Sequence, residues 1–267
     1  MNLHATLALL GLLAAAPALA QQPTVPPEPV PIEEWSLEKV SAMGVEIHRQ
    51  DSAAWRATDR LLETLAPEEV ASVRGWIIVP EGDALKVRFL KAGDPSSLPG
   101  WDVVMTGAEA GPVTVATEPE FPPEQLAQVR AQATARANVG ALRCSTNLNT
   151  VVVADPDSDG WLVWLLTPTG EDRRIPLGGH YRFRISADGS TVLRRDQLSN
   201  TCFFAERPPG RRQDAMLFFT QIVSQGPVET QVFLSIQNQI TIVVSAGERF
   251  YSIGGARIGD ITDSVNR

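Results

Sequence analysis

Cysteine is almost missing from this chain: two residues among 267 cannot build a disulfide framework or a four-cysteine zinc module. Aromatic residues are thin at 6%, and lysine is reduced to Lys39, Lys86 and Lys91. Histidine is equally scarce. No H-E-x-x-H, G-x-S-x-G, P-loop or helix-linked dinucleotide fingerprint occurs, so those metalloprotease, esterase and nucleotide-binding signatures are excluded. Gly254-Gly255-Ala256-Arg257-Ile258-Gly259 is glycine-rich but reads as a turn. Net positive charge is lacking too: the chain carries −8 overall. From Gln21 to Pro123 there are 17 acidic and 8 basic residues, whereas from Glu124 to Arg267 there are 14 acidic and 15 basic, every one of the latter Arg. That imbalance argues against nucleic acid as a partner.

What is present is an ordinary globular composition, 43% apolar and 20% charged, preceded by an apolar leader. Leu7 to Ala16 is a short hydrophobic run that ends in Pro17-Ala18-Leu19-Ala20, an A-x-A-like cleavage site. It reads as a secretory signal peptide over residues 1–20. No Cys follows Ala20 to accept a lipid and no second long apolar run follows, so the expectation is a periplasmic or secreted protein without a membrane anchor after cleavage. Residues 21–31 contain Pro23, Pro26, Pro27, Pro29 and Pro31 and read as an extended tether.

Two α+β units are expected beyond it, an acidic one over residues 32–121 and a second over 122–267. In the first, Asp51 is a candidate N-cap for a helix over 52–65 on the spacing of Ala54, Trp55, Thr58, Leu61, Leu62 and Leu65. Pro67-Glu68-Glu69 opens a short second helix. A hairpin follows, from Gly75–Pro80 through Glu81-Gly82-Asp83 to Leu85, Val87 and Phe89, which alternate with Lys86 and Arg88 as on a half-solvated strand. Trp101–Met105 adds a third strand.

The second unit opens at Pro122-Pro123-Glu124 with a helix to about Asn138, whose Leu126, Val129, Ala133 and Ala137 form an apolar stripe. Strands are expected at 150–154, 161–167, 180–186, 191–195, 217–223, 230–236, 240–245 and 250–253. A helix packed on an antiparallel meander, the α+β class, follows. Trp161 and Trp164 lie in a run that is apolar on both faces, which fits a central strand buried on both sides. A three-residue loop at Ala187-Asp188-Gly189 pairs Phe183 with Leu193 and Ile185 with Thr191, leaving Arg182, Arg184 and Arg194 together on the opposite face. That Arg face is a candidate surface for an anionic partner.

Three further groups carry chemical expectations. Cys144 and Cys202, in an exported protein, pair as a disulfide closing a loop of roughly 60 residues, for which the chain-entropy model gives on the order of 4 kcal/mol. Asp155-Pro-Asp157-Ser-Asp159-Gly160 has D-x-D-x-D-G spacing that suits a weak calcium site through Asp155, Asp157 and Asp159. Leu166 stands where a calcium loop needs Glu, and the same residues equally suit a plain hairpin loop. His48, His180 and paired acids such as Glu33-Glu34 and Glu68-Glu69 are the available acid–base groups.

With Trp161-Leu-Val-Trp-Leu-Leu, Gly178-Gly-His-Tyr-Arg, Ser186-Ala-Asp-Gly, Leu198-Ser-Asn-Thr-Cys202 and Glu229-Thr-Gln-Val-Phe-Leu-Ser235, the chain resembles a group of signal-peptide-bearing exported proteins of Gram-negative bacteria with no assigned activity. The resemblance spans about Val45 to Ile258 and implies periplasmic residence. A helix followed by a sheet meander is also broadly similar to cystatin-like and PepSY-like modules at the level of architecture. The functional expectation is a non-catalytic exported module that binds a protein, peptide or envelope component. Its alternative is an exported hydrolase assembled from dispersed acids and His180.

Overall fold

A computed structural model describes residues 31–93, 98–170, 174–206 and 216–265. The leader and all but the last residue of the proline-rich tether lie outside them. The chain is α+β, and one plan occurs three times along it: a helix followed by an antiparallel meander.

Helix α1 (Leu37–Thr64) starts fourteen residues before the expected Asp51 cap. Ser36 caps it, its hydroxyl accepting from the Lys39 amide at 3.2 Å, so Asp51 falls in mid-helix. The buried stripe Val40, Gly44, Ile47, Ala54, Ala57 and Leu61 keeps steps of three, four and seven residues over the whole length. Trp55 and Leu62, expected inside, are 61% and 54% exposed. The helix stops because Ala66 precedes Pro67, which drives it to extended backbone at ψ 153°. Pro67 then opens the short helix α2 (Pro67–Val70).

Strands β1 (Val73–Glu81), β2 (Ala84–Lys91) and β3 (Leu98–Thr106) form the first meander, with β4 (Glu109–Ala110) and β5 (Thr114–Val115) both pairing with β3. Leu85, Val87 and Phe89 face the second half of α1, together with Trp101, Val103 and Met105. The other face is not solvated as the alternation of Arg88 predicts. Arg88 is 1% exposed, clamped by both carboxylate oxygens of Asp102 at 2.8 and 2.7 Å and by Glu118 and Gln125, each at 2.8 Å. The segment leading to the next helix folds over that face, and Asp102 lies directly opposite Arg88 in the register.

Helix α3 (Pro123–Ala137) lies on the second sheet, β6 (Asn149–Ala154), β7 (Trp161–Leu166), β9 (Tyr181–Ile185) and β10 (Val192–Gln197), ordered β10-β9-β7-β6 with every pair antiparallel. Between β7 and β9 the short strand β8 (Ile175–Pro176) leaves to pair with β11 (Phe204–Ala205). The buried stripe of α3 is Ala127, Ala131 and Ala135 with Gln128 and Gln132, one step away from the expected Leu126, Val129, Ala133 and Ala137. Small alanines allow the helix to lie close on Val163, Leu165 and Phe183. Strand β7 is buried at every position, as its unbroken apolar run predicts.

The β9–β10 register differs from expectation. Ile185 faces Val192, Phe183 faces Arg195, and Leu193 is the extra residue of a bulge, 58% exposed. The loop is longer than three residues because the Asp188 carboxylate accepts from both Ser186 Oγ and Ser190 Oγ, and the Ser186 amide bonds the Thr191 carbonyl.

After β10 the antiparallel meander does not simply continue. Residues 230–236, expected as a strand, form most of helix α4 (Glu229–Asn238), which joins β12 (Met216–Gln221) to β13 (Thr241–Ala246) as a parallel pair. β14 (Arg249–Gly254) and β15 (Arg257–Asp260) complete a third sheet antiparallel to β13, followed by α5 (Thr262–Val265). α4 is buried on nearly all sides, from Glu229 to Ser235, so it carries no polar face whose period would have separated helix from strand. α1 places Val40 and Ile47 in one core with α4, β7 and β13, and Ala54, Ala57 and Leu61 in another with β2 and β3.

Candidate functional site

The Arg face assembles, but inside the protein. Arg182 and Arg184 point away from α3 toward α4 and the residues that precede α1. Arg182 is 2% exposed. It bonds Asp196 at 2.6 Å, both oxygens of Glu229 at 3.2 and 3.3 Å, and the Glu33 carbonyl at 2.6 Å. Trp35 lies flat against its guanidinium at 3.7 Å, and Trp164 Nε1 donates to the same Glu229 at 2.8 Å. Arg184 pairs with Asp155 at 2.8 Å and with Glu33 at 3.3 Å. Arg194, the most exposed of the three, bonds Asp196 at 2.8 Å. Arg182 and Arg184 are therefore corrected from a partner surface to an internal ion network with Arg194 at its half-exposed rim: the chain's own acids, Trp35 and the start of α4 cover the face that alternation alone assigns to solvent.

The calcium reading is corrected for the same reason. Asp155 is fully buried on its side chain, accepts from the Asp157 amide and Ser158 Oγ, and neutralises Arg184. Asp157 bonds Lys39, which with Arg184 holds its carboxyl below the usual range. Asp159 joins neither, and among the described residues no group of three or more His, Cys, Asp or Glu is placed to hold a metal ion. Asp155 and Asp157 face cations rather than one another. The loop is the plain turn between β6 and β7.

His180, the histidine of the hydrolase alternative, is 1% exposed. Its Nδ1 accepts from the Thr167 amide at 3.1 Å and its Nε2 lies 2.8 Å from the Pro176 carbonyl, so both ring nitrogens are committed to main chain. Burial pushes its pKa down to about 4. His48 lies 3.5 Å from Ser52 Oγ, its pKa lowered by burial and then by Arg56. The neighbouring Asp51 carboxylate turns instead to Asn149 at 3.4 Å and Gln237 at 3.3 Å. His48, Ser52 and Asp51 therefore form no relay. Glu69 accepts from the Ala66 amide at the start of α2, and Glu34 accepts from the Gln225 amide in the loop before α4.

Cys144 and Cys202 are disulfide-bonded with Cα atoms 5.4 Å apart. The bridge ties the loop before β6 to the loop after β10. It rests on Gly179, whose φ of +82° and lack of Cβ are both required, since a Cβ there would meet Cys144 Sγ.

A further cavity among the described residues lies where the first two sheets meet. It measures about 570 Å³ and is walled by β1 (Ile78, Val79, Pro80) and β6 (Val152, Val153, Ala154), with α1 and the start of α3 closing its sides and Trp161 and Pro156 at one end. β1 and β6 are edge strands of their sheets. The Gln128 side-chain nitrogen spans them, donating to the Ile78 carbonyl at 3.0 Å and the Val152 carbonyl at 3.3 Å. Gln132 donates to Trp76 one turn further along at 3.1 Å. The ionisable residues in the lining are Glu46 and Glu124. Of these residues Trp161 stood out in the sequence, as part of a doubly buried strand. The available signals were Pro80, since proline within a strand marks an edge, and the Gln128/Gln132 pair one helical turn apart on an otherwise alanine face.

No family model matches the chain, and no curated protein matches it. Among solved structures it is similar to the Bacillus megaterium YpeB C-terminal domain at 9% identity, over 64% of this chain and 69% of that one, with a TM-score of 0.19.

Proposed function

We propose that the protein is an exported, non-catalytic binding module that holds an extended polypeptide segment in the groove between β1 and β6. One observation carries this reading: two open sheet edges face the same cavity of about 570 Å³, and a single glutamine bridges them. Main-chain groups on sheet edges bind extended peptides by strand addition, and apolar walls accommodate alternate side chains. The leader at residues 1–20 and the intact disulfide support residence in an oxidising compartment outside the cytoplasm. Among the described residues no helix is long and apolar enough to cross a membrane.

The test is amide NMR of the full mature chain titrated with a panel of capped ten-residue peptides of high strand propensity. Binding at the groove shifts resonances of residues 78–80 and 152–154, and Ala42→Trp, which fills the groove from the exposed face of α1, weakens it. Shifts confined to other parts of the molecule would refute the assignment.

A further inference from the structure

Resting on the groove as the binding site, we infer that its occupant is a cationic polypeptide segment, laid in as an extra strand between β1 and β6. The spacing of the edges comes first. One amide nitrogen reaches a carbonyl on each strand, so the two edges stand about two strand spacings apart, roughly 10 Å, and one extended chain fills such a gap. Gln128 already occupies, at one level, the place of a main-chain amide of that missing strand.

Direction agrees with this. Passing back along α3, Gln132 meets Trp76, Gln128 meets Ile78 and Val152, and Glu124 and Gln125 line the groove beside Pro80 and Ala154. β1 and β6 therefore run the same way along the groove, and beyond the Gln128 bridge one inserted strand is in register with both. Main-chain groups alternate in direction along a strand. Pro80 and Ala154, two residues beyond Ile78 and Val152, present their carbonyls to the same gap, and Pro80 has no N–H to offer. Proline removes one donor from the β1 edge, and an incoming main chain supplies amides and carbonyls to pair with the groups that remain.

Charge selects the side chains. Glu46 and Glu124 are the acidic residues of the lining, and the stretch Gln21–Pro123 that supplies α1 and β1 carries an excess of acids. Arg49 already bonds Glu46, whereas Glu124 stands in the exposed first turn of α3. Apolar side chains fit between Met43, Val79, Val153 and Trp161, and alternate lysines or arginines reach the acidic rim. The occupant is thus an extended segment alternating apolar and cationic residues.

Calorimetry on the full mature chain with its disulfide intact decides the matter, using four capped ten-residue probes: alternating Val-Lys, Val-Thr and Val-Glu, and Val-Lys N-methylated at alternate residues. The Val-Lys peptide is expected to bind at least about tenfold more tightly than Val-Glu at low salt, the difference shrinking as salt rises. N-methylation removes main-chain donors and is expected to cost at least about tenfold. Glu124→Gln weakens the Val-Lys complex several-fold, while Glu248→Gln, an acid in the distant β13–β14 turn, leaves it unchanged. Equal affinity for Val-Lys and Val-Glu, or undiminished binding of the N-methylated probe, overturns this inference. If resonances at 78–80 and 152–154 still shift, the groove itself stands. A chain that binds none of the four loses both.

Discussion

Arg182 shows how far a single side chain's meaning depends on what covers it. Removing its charge strands Glu229 without a counter-ion in the interior and leaves Asp196 to Arg194 alone, and the loss of one partner from a buried pair costs about 3–5 kcal/mol. Arg182→Leu is therefore expected to lower the urea midpoint sharply, while Arg194→Gln, at a half-exposed pair, changes stability by about 1 kcal/mol or less. Comparable small effects for both would contradict the buried network. Asp51 and His180 make opposing contributions to the pH dependence. Burial pushes the Asp51 carboxyl up to about 6, so its stabilisation is complete below the ordinary carboxylate range and is lost as pH rises through 6. His180, pushed down to about 4 by burial, contributes stability above pH 6.5 that is lost as pH falls toward 4. Between about pH 4 and 6 the two largely cancel. Asp51→Asn should stabilise the protein near neutral pH by on the order of 2 kcal/mol and expose the decline due to His180 on acidification, measured by urea unfolding at several pH values. An unchanged pH profile would remove Asp51 from this account.

At the scale of elements, the crossing of α1 and α4 joins the core shared with the third sheet to the one beneath the first. Gly44 makes it possible: a Cβ there would lie 2.4 Å from Val232 Cβ and 2.7 Å from the Glu229 carbonyl. Gly44→Ala gains helix propensity but forces the helices apart, so a net destabilisation of about 1–3 kcal/mol is expected. Because Glu229 caps the Arg182 network, the same displacement should disturb Trp164, whose indole N–H bonds Glu229; its indole N–H resonance is a local reporter. A Gly44→Ala protein as stable as the parent, with that resonance unchanged, would show that the crossing tolerates separation.

For the whole molecule, the disulfide closes the longest covalent loop around the second sheet, linking residues 58 apart in sequence. Reduction, or replacement of both cysteines by serine, should lower stability by up to about 4 kcal/mol and lower the melting temperature. Thermal melts with and without reductant measure it, and superimposable curves would argue that the bridge constrains little. The proposed export makes a separate prediction: mass analysis of the protein recovered from the cell envelope should find a chain beginning at Gln21, and an intact Met1 would refute cleavage at Ala20.

Several features were legible in local chemistry. The α+β class, the β1–β2 hairpin about Glu81-Gly82-Asp83, the start of α3 after Pro122, the doubly buried β7 and the pairing of the two cysteines follow from turn residues, apolar alternation and counting, none of which needs a partner from afar. What covers each face could not be read that way. Arg88 and Arg182 occupy strand positions that alternation sends outward, and they are buried because Glu118, Gln125, Glu33 and Glu229 arrive from other parts of the chain. α4 hid its helical period because packing surrounds it. The groove exists only where an edge of one sheet meets an edge of another, across residues more than seventy apart in sequence. Local propensity acts over a few residues, whereas the desolvation and charge pairing that define these sites depend on tertiary neighbours.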